Sequence, residues 1–144
     1  MATRTASCNC GKLSVSYEGP DPERISLCQC YECQKRTGSV LSVQARVPRE
    51  LVTIEGQSTT WTFPSEGGEP VTFRSCDSGG ATYHFCPECG STVHFRIEGK
   101  FDGLVAIPLG AFDDPFSLEP RFSVWEKRKH DWVAIVGDDV EHMD

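Results

Sequence analysis

The chain has 144 residues, 38% of them hydrophobic, with eight cysteines and a formal net charge of −7. That length suits one domain with its own core, and residues 1–144 are expected to form a single one. The negative balance argues against a nucleic-acid backbone as the main partner. The longest apolar stretch, Leu104 to Phe112, is broken by Pro108 and Gly110 and is far short of the ~20 residues that a membrane-spanning helix needs. Met1 to Ser7 has no apolar core of the signal-peptide kind. The expectation is a cytoplasmic protein whose thiols stay reduced, with neither membrane nor nucleic acid as partner. The oligomeric state is not legible.

In chain order, the first feature is a pair of thiols, Cys8 and Cys10. Gly11 to Glu18 then alternates, with Leu13, Val15 and Tyr17 on one side, which predicts a half-buried strand leaving the pair. Gly19-Pro20-Asp21-Pro22 is a loop. Arg24 to Leu27 is a short strand that feeds a triplet, Cys28, Cys30 and Cys33. Gln34 to Gly38 reads as a single helical turn closed by Gly38.

Val40 to Val47, Leu51 to Ile54 and Thr59 to Phe63 are further strands, and Ser65 to Pro70 an exposed turn. Val71 to Arg74 and Ala81 to Phe85 are strands on either side of Cys76 and a Gly-Gly turn. The second of them delivers Cys86-Pro87-Glu88-Cys89-Gly90. Ser91 to Ile97 and Phe101 to Leu109 continue the pattern, Asp113-Asp114-Pro115 breaks it, and Phe122 to Glu126 and Trp132 to Val136 are expected to close the fold. Short strands separated by turn signals predict a mainly β domain of several short antiparallel strands.

Seven of the eight cysteines fall into three knots. Soft divalent ions need several sulfurs within about 2.3 Å, and this tight spacing favours metal over disulfides. The CPECG turn is the most specific of the three, because its glycine relieves strain where the chain reverses. A four-coordinate ion needs four ligands, so a two-cysteine knot must pair with a distant one. Pairing Cys8 and Cys10 with Cys86 and Cys89 gives a closed structural site and leaves Cys28, Cys30 and Cys33 as three ligands with an open position, the pattern of a catalytic zinc. Spacing alone does not fix that pairing. Cys76 can instead close a second structural site around the triplet, and a four-thiolate site also suits iron.

The stretches CNCGKLSVSYEG at 8–19, LCQCYECQKRTGS at 27–39 and HFCPECGSTVHF at 84–95, with the closing EPRFSVWEKRKHDWVAIVGD at 119–138, resemble the glutathione-dependent formaldehyde-activating family, which includes the domain of centromere protein V. The resemblance implies a β-tent-like zinc-binding fold. It implies a structural zinc on Cys8, Cys10, Cys86 and Cys89, and a second zinc on Cys28, Cys30 and Cys33, where the glutathione chemistry occurs. It also implies carbon–sulfur lyase activity, the joining of glutathione and formaldehyde into S-hydroxymethylglutathione. Cys76 stands where the family more often has a serine-type turn, and Phe122 where a histidine is common.

Lys35 and Arg36, just past the triplet, read first as ordinary solvated charge and second as candidates to pair with glutathione carboxylates. His84 and His94 flank the third knot and read first as satisfied structural histidines, second as groups that touch thiolates or line a pocket. Lys127 to His130 reads as a solvated basic loop. The leading expectation is a zinc enzyme acting on glutathione, or a related thiol, and a small aldehyde. The alternatives are a non-catalytic module in which two structural zincs support a protein-binding surface, and a thiol redox enzyme using Cys76 with Arg74 beside it.

Overall fold

In β4 (Ser42–Pro48), Val43, Ala45 and Val47 alternate with Ser42, Gln44 and Arg46, and the two sets meet different neighbours. The computed structural model describes residues 2–63, 80–97 and 103–144. The expected turn at 65–70, the expected strand at 71–74 and Cys76 lie outside the described residues. The described residues form two sheets. The smaller has the order β1 (Ala2–Ser7), β2 (Ser14–Gly19), β5 (Val52–Glu55), all antiparallel.

The larger has eight strands in the order β11-β10-β3-β4-β9-β8-β7-β6. Its strands are β3 (Arg24–Cys28), β4, β6 (Thr59–Phe63), β7 (Ala81–Phe85), β8 (Thr92–Ile97), β9 (Leu104–Pro108), β10 (Phe122–Val124) and β11 (Glu141–His142). Neighbours from β3 through β6 pair antiparallel, whereas β10 runs parallel to both β3 and β11. The expectation of a mainly β fold holds.

The small sheet covers one face of the large one. Leu13, Val15 and Tyr17 meet Ile25, Ala45, Val47, Val105 and Ile107 in a single buried cluster that also takes in Cys8 and Cys86. Each of the Val, Leu and Ile side chains contributes about 1.5–3 kcal/mol when fully buried. The other face has different chemistry. Register places Ser26 opposite Gln44 and Cys28 opposite Ser42, and it places Ala106 opposite both Arg46 and Phe95. Tyr83 lies opposite both Phe95 and Trp61. Directly paired residues share a face, so a polar, thiol-bearing end and an aromatic end lie on one surface with the small Ala106 between them.

Helix α1 (Tyr31–Thr37) lies against that surface. It is longer than the expected single turn. Cys30 is its N-cap, and its Sγ accepts a hydrogen bond from the Cys33 N–H at 3.3 Å. Gly38 ends it in the left-handed region at φ +71, the ordinary use of glycine at a helix C-terminus.

The expected strand at Trp132 to Val136 is corrected. That run is irregular, with Trp132 74% and Val136 84% exposed, and β11 closes the sheet instead. The place beside β10 that the run was expected to fill is taken by β11. Gly56 serves the first knot: at φ +97 it packs on the Lys12 backbone, and a Cβ there would stand 2.0 Å from the Lys12 carbonyl oxygen. Among the described residues no helix is long and apolar enough to cross a membrane.

Candidate metal centres

Two turns of the same design bring four sulfurs together. In the turn after β1, the Cys8 carbonyl accepts from the Gly11 N–H at 3.1 Å and Cys8 Sγ accepts from the Leu13 N–H at 3.3 Å. In the turn after β7, the Cys86 carbonyl accepts from the Gly90 N–H at 2.9 Å and Cys86 Sγ accepts from the Glu88 N–H at 3.4 Å. Gly11 and Gly90 have φ of +82 and +79, a backbone region that glycine enters without steric cost. Lys12 and Glu88, which follow the first thiols of the two turns, pair across the junction at 2.7 Å. Both are exposed, so that pair is worth at most about 1 kcal/mol.

The ligand atoms of Cys8, Cys10, Cys86 and Cys89 lie within 4.8 Å of one another. Cys8 Sγ is 3.7 Å from Cys10 Sγ, and Cys10 Sγ is 3.6 Å from Cys86 Sγ. Four sulfurs held tetrahedrally at 2.3 Å from one ion would be separated by about 3.8 Å. The spacing therefore fits a single small ion, and no cysteine among the described residues is in a disulfide.

Protonation points the same way. The Cys89 thiol is lowered to about 5, first by the Ser91 backbone N–H and then by that of Cys10. On Cys10 the Lys12 backbone N–H pulls downward, yet desolvation and the neighbouring sulfurs outweigh it and push the thiol up to about 12. Four thiols this close cannot all ionise unaided, because each thiolate raises the next. A divalent cation removes that conflict.

The second cluster is Cys28 at the end of β3, Cys30 at the helix cap and Cys33 on α1. All three are buried, and their sulfurs lie within 4.8 Å of one another. Val124 and Trp125 pack on it, brought there by the parallel pairing of Val124 with Cys28. Among the described residues Trp125 is the non-glycine one with positive φ, +57, a conformation that costs of order 1 kcal/mol or more. The Lys127 ammonium and the Arg128 guanidinium lie over its ring at 5.0 and 5.9 Å. Lys127 and Arg128 are thus tied to an aromatic ring rather than simply solvated. His130 joins the outer side of α1, with Nε2 2.8 Å from Gln34 Oε1.

The helix separates Lys35 from Arg36. Lys35 is exposed and lines an open depression with Tyr31, Gln34 and His130. Arg36 turns toward the sheet, its guanidinium carbon 4.6 Å from the centre of the Tyr83 ring and 4.8 Å from that of Phe95. His84 and His94 stack on each other with ring centres 4.3 Å apart, and His84 Nδ1 is 2.9 Å from Ser58 Oγ. Burial, and then the His84 charge, lower His94 to about 4.

Sequence reading missed the polar floor. Ser26 Oγ accepts from Gln44 Nε2 at 3.1 Å and from the Arg46 guanidinium at 3.0 Å, while Gln44 Oε1 and Ser42 Oγ are buried without partners. The available signal was the SVQARV alternation in a strand that is covered on both sides.

No curated protein matches the chain. A crystal structure of a protein from Rhodobacter sphaeroides shares the fold, with a TM-score of 0.57 at 16% identity over 81% of this chain and 92% of that one. The family model described as glutathione-dependent formaldehyde-activating enzyme matches residues 3–128. The chain thus belongs to the glutathione-dependent formaldehyde-activating enzyme family.

Proposed function

We propose that this chain acts as one zinc-binding domain that joins glutathione, or a related thiol, to formaldehyde or another small aldehyde, with Cys28, Cys30 and Cys33 as the catalytic metal site. The observation that carries the reading is the contrast in donor number among the described residues: four sulfurs in one cluster and three in the other. Family membership supplies the substrate pair. Cys8, Cys10, Cys86 and Cys89 hold the structural ion in this reading. Zinc, when bound, supplies Lewis acidity and keeps a thiol as its thiolate at neutral pH.

The chain's own residues supply the setting. Cys28, Cys30 and Cys33 are held by a strand end and a helix cap, so the three sulfurs are fixed before any ligand arrives. Val124 and Trp125 exclude water from one side of them. The reaction forms one sulfur–carbon bond and turns the carbonyl into a hydroxyl, the thiol proton ending on oxygen. It needs no oxidant or reductant, so the site must bring two reactants together and stabilise charge on sulfur and oxygen.

The test joins elemental analysis to an exchange assay. Two zinc ions per chain are expected, together with accelerated equilibration of glutathione and formaldehyde with S-hydroxymethylglutathione. Cys30→Ser should lose one zinc and the acceleration. Full turnover in that variant sinks the catalytic reading. Two tightly held zincs with no acceleration favour the non-catalytic module.

A further inference from the structure

Among the described residues, the guanidinium of Arg36 is held in place without an anionic partner. Two rings, Tyr83 and Phe95, grip it at 4.6 and 4.8 Å. Its Nε is buried without a hydrogen-bond partner, and it pairs with no carboxylate among the described residues. Ring faces return part of the desolvation cost of a cation, but a planar fork of N–H donors is completed by a carboxylate, which accepts two parallel bonds. Arg36 stands three residues after Cys33, so the two side chains leave one face of α1 about 5–6 Å apart at Cβ. A carboxylate one residue beyond a cysteinyl sulfur lies within about 7 Å of it. The sheet face beneath adds Ser42 Oγ and Gln44 Oε1, both buried and unpartnered, next to and one register beyond Cys28. Such groups suit the amides of a peptide.

We propose that Arg36 is the specificity-determining residue of this site: it binds a carboxylate of the thiol substrate and selects carboxylate-bearing peptide thiols over neutral small thiols. This rests on the reading of Cys28, Cys30 and Cys33 as the reacting centre. Tyr83 and Phe95 are positioning residues that hold the guanidinium plane. Lys35, about 100° around the helix from it and exposed, has no part in it.

The experiment uses the zinc-loaded full chain, wild type, Arg36→Gln and Arg36→Lys. Its probes are glutathione, glutathione diethyl ester and 2-mercaptoethanol. Binding is followed by calorimetry and by tryptophan fluorescence, since Trp61 stacks on Tyr83 with ring centres 6.1 Å apart; turnover with formaldehyde is measured alongside. Wild type should bind glutathione about 10- to 100-fold more tightly than the diester, the range of a charge-assisted hydrogen bond. Arg36→Gln should erase that ratio through KM and cost 2-mercaptoethanol far less than glutathione, and Arg36→Lys should keep part of it. A wild type that binds acid and ester alike overturns the proposal without relying on any variant. So does an Arg36→Gln protein that keeps the full ratio, or one that loses all three thiols equally, as a purely structural latch would. Absence of turnover with every thiol, with the acid-to-ester binding ratio intact in wild type and erased in Arg36→Gln, sinks the proposed reaction and leaves the carboxylate assignment standing.

Discussion

The two sulfur clusters of this chain are built from different materials. The four-sulfur cluster joins two glycine-closed turns that are far apart in sequence, and Cys8 and Cys86 belong to the apolar core between the sheets. The three-sulfur cluster comes from one short stretch on the other face of the large sheet, among serine, glutamine and arginine side chains. An ion in the first would tie the N-terminal strands to β7, closing a long loop and opposing unfolding of the whole chain. An ion in the second would tie a strand end to the helix that follows it directly, which restrains little. The same element is thus structural or chemical according to how much chain it spans and what surrounds it.

The sharpest way to break this contrast is a pair of buried substitutions. Cys86→Ser should abolish cooperative folding, because a structural zinc supplies about 10–16 kcal/mol in small zinc domains while a whole domain is stable by only about 5–15 kcal/mol. Cys30→Ser should keep a sharp thermal transition. Far-UV circular dichroism through a melt decides it, and a Cys86→Ser protein that melts within a few degrees of wild type removes the structural role. Gly56→Ala comes next at about 2–4 kcal/mol, since a Cβ would collide with the Lys12 carbonyl while the residue is held at φ +97. Lys12 lies two residues after Cys10, so metal retention at the four-sulfur site should fall together with stability. A stability loss that leaves retention untouched would disconnect Gly56 from that site. Third, chelator should strip the two sites at rates at least about tenfold apart, the three-sulfur site first. A single-exponential release of all zinc would erase the distinction.

The parts of this contrast that the sequence displayed were those set by spacing and period. Three cysteine knots and the alternation of Leu13, Val15 and Tyr17 lie on the surface of the sequence, and the structure buries those three side chains at 0, 1 and 3% exposure. What it hid were facts of tertiary partnership. ATRTAS has no apolar period, and it becomes β1 because β2 offers an edge to pair with. The Trp132 to Val136 run is apolar, yet β11 rather than that run pairs with β10. YECQKRT carries too little periodicity to give a helical phase, so Lys35 and Arg36 looked equivalent until Cys30 capped the helix and turned only Arg36 inward. Within the expected strand Val40 to Val47, nothing marks Ser42, Gln44 and Arg46 as a covered polar face, because nothing local records that a helix lies over them.

The smallest expected effect concerns the stacked histidines beside the four-sulfur site. His94 is 3% exposed, its Nε2 has no partner, and burial followed by the His84 charge lowers it to about 4 from 6.5. The folded state keeps His94 neutral across a range in which the unfolded chain takes up a proton. The unfolded state therefore binds more protons between the two values, and stability falls as pH falls from about 6.5 through about 4. By pH 5.5 the loss amounts to about 1 kcal/mol, a few degrees of Tm in a domain of this size. Thiolate protonation also weakens metal binding in acid, so the readout is a difference: Tm from pH 8 to 5.5 in zinc-saturated wild type against His94→Phe. The variant should lack the extra slope. Parallel curves would mean that the acid response belongs to the sulfur clusters alone, and that the histidine pair is packing without linkage.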